Sequence, residues 1–110
     1  MTNRDIALTF IQLFCEGNIN AINVLLASNV VFKGPFHTFY SAKDYVKSLE
    51  ASPPEKFNYD IISVTENKNE VAIFYKYHKK DRTMDIAQLV KIANQKVVEI
   101  QVIFDARELV

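Results

Sequence analysis

At Phe57 the hydrophobic pattern of this 110-residue chain changes period. From there to Asp105 apolar residues recur at every second position, in stretches of roughly 57–66, 70–79, 83–93 and 96–105. A period of two marks strands. The breaks are Asn67-Lys68-Asn69, Lys80-Asp81-Arg82 and Asn94-Gln95, turn residues in gaps short enough for hairpins. The pattern therefore predicts a four-strand antiparallel meander. Parallel strands would need long crossovers that these gaps do not supply. The stretches exceed the usual length of about five or six residues, so the sheet is expected to twist and curve strongly.

Before Phe57 the period is helical. Thr2 with Asp5 three residues later fits a capping box, and Ile6, Phe10, Leu13 and Phe14 then share one helix face. Gly17 can stop that helix in a left-handed conformation. Asn18 can cap a short second helix carrying Ile22, Leu25 and Leu26. Val30-Val31-Phe32 reads as a short strand, broken by Gly34-Pro35. Phe36 to Tyr40 is a loop or short edge element with an unusual aromatic load. Ser41 and Asp44 form a second capping box, opening a helix with Tyr45, Val46 and Leu49 on one face. Ser52-Pro53-Pro54 ends it.

The length fits one domain over residues 1–110. Lys and Arg number 13, as do Asp and Glu, so the chain lacks the basic excess of a nucleic-acid or anionic-membrane binder. The basic run Lys76 to Arg82 then reads as a solvated strand end. Two glycines cannot build a phosphate or dinucleotide loop, and no cofactor is expected. The single Cys15 excludes an internal disulfide, and His37 and His78 lie far apart, so no metal site is expected. The run from Ile6 to Cys15 faintly resembles a secretory signal, but Asp5 and Gln12 interrupt it and no small-residue cleavage site follows. No stretch approaches the ~20 apolar residues of a membrane span. A cytoplasmic protein is expected.

Alternation divides the sheet into two faces. Val71, Ile73, Tyr75 and Tyr77 share one, as do Met84, Ile86, Gln88, Val90 and Ile92, and then Val98, Ile100, Val102 and Phe104. These nearly apolar sets are assigned to the helix-covered side. The opposite sets are mixed. Phe74, Leu89, Val97, Gln101 and Ile103 there suggest a partner surface, a symmetric homodimer being the commonest solution.

Several stretches carry a family likeness: Phe14 to Asn18, Leu25 to Phe32, Gly34-Pro35, Lys96 to Ile100, and Phe104-Asp105. Together with three helical segments before a long meander, an α+β pattern, they make the chain resemble the nuclear transport factor 2-like superfamily. The likeness is to its SnoaL-like and ketosteroid-isomerase-like small domains, and it covers nearly the whole chain. It implies an α+β cone, with N-terminal helices packed in a curved, mainly antiparallel sheet that encloses a pocket. It also implies dimerisation through the outer sheet face. Members include isomerases, cyclases, dehydratases, epoxide hydrolases and non-catalytic binding domains, so fold does not fix function.

The resemblance also allows a residue-by-residue test. Steroid isomerases use a carboxylate base with a Tyr and a protonated Asp as oxyanion hole. Aligned on Gly17, the Tyr position falls on Phe10. Aligned on Pro35, the base falls on Gly34. Aligned back from Lys96, the protonated Asp falls near Gln88. Steroid-isomerase chemistry is therefore not expected.

What remains can line a pocket. The candidate ligand-binding residues are Phe10, Phe14, Tyr45, Tyr59, Tyr75, Tyr77, Gln88, Val102 and Phe104. Gln88 is either a ligand-orienting amide or the satisfied partner of Tyr75, Tyr77 or a water. His37, in the aromatic loop at the expected mouth, is the candidate general base, since an unperturbed imidazole titrates near neutrality. Asp60 is solvated if Phe57, Tyr59 and Ile61 face inward, Asp105 has an outer phase, and His78 reads as surface. Three readings stay open: a binding domain for an apolar or aromatic small molecule, an isomerase, cyclase or lyase using His37, and an interaction module with a filled cone.

Overall fold

The computed structural model describes residues 1–109. In chain order the elements are α1 (Asn3–Glu16), α2 (Ile19–Leu25), β1 (Leu26–Lys33), β2 (Thr38–Phe39) and α3 (Ala42–Ala51). Then come β3 (Asn58–Asn67), β4 (Glu70–His78), β5 (Thr83–Ala93), β6 (Lys96–Ile103) and a terminal 3₁₀ turn (Ala106–Leu109). The strands form one sheet in the order β2-β1-β6-β5-β4-β3. The meander β3 to β6 is antiparallel, while β1 runs parallel to β6. The sheet is mixed, curved and open, with the helices packed on its concave side, and is the expected α+β cone.

Local chemistry sets the elements. Thr2 accepts from the Asp5 amide and Asp5 accepts from the Thr2 amide, a complete capping box. Asn18 and Ser41 cap the next two helices by accepting from the Ala21 and Asp44 amides, without the reciprocal side-chain bond, so the second capping box expected at Ser41–Asp44 is only half formed. Gly17 ends α1 with φ 72°, a conformation that costs glycine least. Asn94 and Gln95 both take positive φ, as a two-residue hairpin turn requires.

The inner face is built in rows across the sheet. Val71, Val90 and Ile100 form one fully buried row. Two residues along each strand lie Ile73, Gln88 and Val102. Beyond them Tyr75 pairs with Ile86, and Tyr77 with Met84.

Two bulges change the expected phase. Lys91 pairs with Glu99 but Ile92 pairs with Val97, so β6 carries one extra residue at Val98. Val97 thereby turns inward and is fully buried, and Val98 is only half-buried. This corrects the assignment of Val97 to the outer face. In β3 the register shifts between Ile61 and Ser63. Ile62 is the exposed bulge residue, while Ile61, paired with Tyr75 and sharing a groove with Asp5 and Leu8 of α1, keeps the inward phase at the open edge of the sheet. The first strand is also longer than Val30-Val31-Phe32, and the aromatic loop contributes the short edge strand β2. Among the described residues no helix is long and apolar enough to cross a membrane.

Candidate functional site

The open end of the cone holds a cavity of about 420 Å³, within the range of small-molecule sites. Helix α1 contributes Phe10 and Phe14, and α3 contributes Tyr45. The sheet contributes Tyr75, Tyr77, Met84, Ile86, Gln88 and Val102, with Phe104 just past β6. The mouth is rimmed by the loop from Gly34 to His37 and by Ser52 to Glu55 after α3.

The walls are largely aromatic. Tyr45 stacks on Phe32 at 4.5 Å between ring centres. Phe57 meets Tyr77 edge-on at 5.0 Å, and Phe36 meets Phe104 at 6.0 Å. Gly34 packs closely here: a Cβ would lie 3.1 Å from the Phe32 ring and would need that ring to shift by a few tenths of an ångström.

Polar groups inside are few. Gln88 is 4% exposed, and its Oε1 accepts from the Tyr75 hydroxyl at 3.0 Å. Among the described residues its Nε2 has no partner, nor has the hydroxyl of Tyr45. The Tyr77 hydroxyl donates to the Glu55 carbonyl at 3.4 Å. Burial pushes the phenols of Tyr45, Tyr75 and Tyr77 far above the usual tyrosine range, so they remain donors.

The structure brings eight of the nine candidate lining residues to this cavity, together with His37. It does not bring Tyr59 there. Tyr59 lies in shallow grooves outside the cone, one beside α1 with Asp5, Leu8 and Gln12, the other with Cys15, Asp60 and His78. The second groove has a larger volume, about 630 Å³, but only seven residues line it, so it offers little enclosure. His37 is exposed at the mouth, its ring 6.0 Å from that of Phe39.

No carboxylate among the described residues lies deep in the cone. Glu55 sits exposed at the rim. Asp105 is exposed and bound by Arg107, whose hydrogen bonds hold its carboxyl below the usual range. Asp60 is exposed on the outer face, 2.7 Å from His78 Nε2, while His78 Nδ1 meets Thr83 Oγ1 at 3.0 Å. Sequence reasoning missed that Asp60–His78 pair, because it exists only through the β3–β4 register. It also missed Phe32, Phe39, Glu55 and Lys79 as cavity residues. The Phe32 signal was present in the strand reading, whereas Glu55 lies in a loop without period. Among the described residues no cluster of His, Cys, Asp and Glu could hold a metal ion.

A family model of the SnoaL-like domain matches residues 7–100. The chain belongs to the SnoaL-like family. It thereby belongs to the nuclear transport factor 2-like superfamily. Among solved structures it is similar to a nuclear transport factor 2-like protein of unknown function from Cytophaga hutchinsonii. That match has 27% identity and a TM-score of 0.84, covering 99% of this chain and 95% of the other. A protein of ketosteroid isomerase-like fold from Catenulispora acidiphila, in complex with trimethylamine, matches at 16% identity and TM-score 0.75. The match covers 94% of this chain and 88% of that one. A de novo designed protein with a curved β-sheet matches at 16% identity and TM-score 0.80, covering 97% and 90%. A designed chain shares this SnoaL-like shape, so the shape alone carries no chemistry. No curated protein matches the sequence. The SnoaL-like fold is that of ligand-binding or isomerase- and cyclase-type domains.

Proposed function

We propose that this SnoaL-like domain binds an apolar or aromatic small molecule in the open end of its cone. The supporting observation is the aromatic cavity itself, with two buried polar side chains left incompletely paired. Such a combination of apolar walls and few polar groups is typical of ligand sites. Nile red, a neutral dye that fluoresces in apolar surroundings, tests this reading. One saturable site per chain is expected, lost in Val102→Trp, which fills the cavity, and kept in Phe74→Lys on the outer face. Unchanged binding in a folded Val102→Trp protein would place the dye elsewhere and overturn the proposal.

A second reading is an isomerase, cyclase or lyase with His37 as general base. The place of His37 at the same mouth favours it. Turnover that survives His37→Ala intact would remove it.

The outer sheet face is proposed to pair with a second copy. Phe74, Ile103 and Ile62 are each more than half exposed there, beside Leu89 and Gln101. Exposed apolar patches of this kind commonly mark interfaces. Sedimentation at micromolar concentration is expected to show a dimer, converted to monomer by Phe74→Lys. A wild-type monomer would refute the pairing.

A further inference from the structure

We infer that Thr83, His78 and Asp60 form a nucleophilic relay at one end of the outer sheet face, which takes an acyl group from an acyl phosphate onto the Thr83 hydroxyl. The relay lies outside the cone and does not rest on the cone binding a ligand.

The pairing of three strands assembles it. Thr83 opens β5 and stands opposite His78, the last residue of β4. Asp60 comes from β3 and is diagonal to His78, since Asn58 is the residue directly opposite. Its carboxylate Oδ2 lies 2.7 Å from His78 Nε2, and Thr83 Oγ1 lies 3.0 Å from Nδ1. The acceptor fixes where the hydrogens sit. An ionised carboxylate has no proton to give, so Nε2 carries the hydrogen and donates to Asp60. In the neutral ring Nδ1 then holds a lone pair, and the Thr83 hydroxyl donates to it. A hydroxyl bonded to a base, with the base oriented by a third group, is the arrangement that activates a nucleophile. Asp60 and Thr83 are exposed and His78 is half-buried, so a reagent reaches the hydroxyl from solvent.

Charge selects the acyl donor. Among the described residues Lys79 and Lys80, in the turn that joins His78 to Thr83, are in no ion pair. One row along the same face Lys76 lies opposite Asp85, at 3.6 Å. An anionic leaving group is drawn to such a cluster of cations, and an uncharged one is not. In the transfer, Thr83 Oγ1 bonds to the carbonyl carbon while its proton passes to His78 Nδ1. The bond from that carbon to the phosphate oxygen breaks. The phosphate leaves with the electron pair and takes the proton from His78. The products are acyl-threonine and inorganic phosphate, with His78 neutral again.

Acetyl phosphate is the probe, and acetyl groups are located by peptide mass spectrometry. Hydroxylamine, which cleaves esters and spares amides, separates a threonine label from acetyl-lysine. Thr65, exposed on the same face opposite Ala72 and far along β4 from His78, is the reference hydroxyl. Thr83 is expected to label about a hundredfold faster than Thr65, the low end of what a positioned base contributes. His78→Gln is expected to remove that advantage. Asp60 is a positioning residue acting through His78, so Asp60→Ala is expected to lower the advantage about tenfold and Asp60→Glu to restore most of it. Replacing Lys79 and Lys80 together by Gln is expected to slow transfer from acetyl phosphate and leave transfer from p-nitrophenyl acetate, an uncharged donor, unchanged. Urea midpoints report that the variants fold. Equal labelling of Thr83 and Thr65, acetyl on lysines alone, phosphate in place of acetyl on Thr83, or an undiminished advantage in His78→Gln or Asp60→Ala would overturn the inference.

Discussion

Along the concave face of the sheet, one row is sealed and the rows a few residues away are not. Val71, Val90 and Ile100 are fully buried in one core with Ile6, Ile11 and Ile22 of the helices. On the same strands Tyr75, Tyr77 and Met84 line a cavity. Between them lies the row of Ile73, Gln88 and Val102. The backbone is continuous through all three, so side-chain shape makes the difference. β-Branched chains fill the pleat and close it, as close packing requires. Long rings stand away from the backbone and wall a space. The single amide sits at the boundary, where a polar atom can still be reached from the cavity.

The largest expected effect comes from attacking the sealed row. Ile100→Ala is expected to cost about 2–5 kcal/mol, because the cavity it leaves cannot collapse. The half-buried Phe104→Ala at the mouth, though it removes more atoms, is expected to cost less. Urea unfolding of the two variants decides this. Equal losses would mean that the mouth is packed as tightly as the sealed end.

A middle-sized effect is expected at the boundary. Gln88→Leu and Tyr75→Phe each strand one partner of the 3.0 Å bond, at about 1–2 kcal/mol apiece. The double variant leaves nothing stranded, so it should cost clearly less than the sum. Strict additivity would show that the bond contributes nothing to the fold.

The smallest effect is on alkaline stability. Burial, then the nearby Glu16 charge, pushes the Cys15 thiol up to about 11 from 9.0. The buried tyrosines are raised as well. Groups held neutral in the folded state ionise more readily once unfolded. Stability is therefore full below pH 9 and falls as pH rises from about 9 toward 11 and beyond. The urea midpoint measured against pH should show this decline, with its first part reduced in Cys15→Ala. A flat profile over that interval would mean that the thiol is not desolvated.

The sequence carried the meander well, because hairpin gaps and alternation are local signals. The capping box of Thr2–Asp5 and the Ser41 cap on the Asp44 amide were legible for the same reason, although the reciprocal Asp44 bond expected of a second box is not formed. Strand faces were legible until a bulge. The extra residue at Val98 swapped it with Val97, and the bulge at Ile62 moved the inward phase from Ser63 to Val64. A bulge leaves little trace in a run of β-branched residues, since each fits either side. The placement of Tyr59 failed on that strand, whose outer end lies beyond the cavity wall. Gln88 was legible as the polar residue on an apolar face, but its free donor was not. That depended on which oxygen Tyr75 reached, a matter of three dimensions. Glu55 and Lys79 came to the rim through loop geometry, which has no period to read.

The parallel pairing of β1 with β6 has a consequence in time. It joins Leu26 to Val97 and Phe32 to Ile100, so the sheet has no place for β1 until the last strand is made. A helical half emerging from the ribosome finds no finished surface to cover, and the entropy of closing that long loop is lost before its contacts form. Folding of this chain is thereby set to wait for its own synthesis, with the meander as template and the N-terminal half docking onto it.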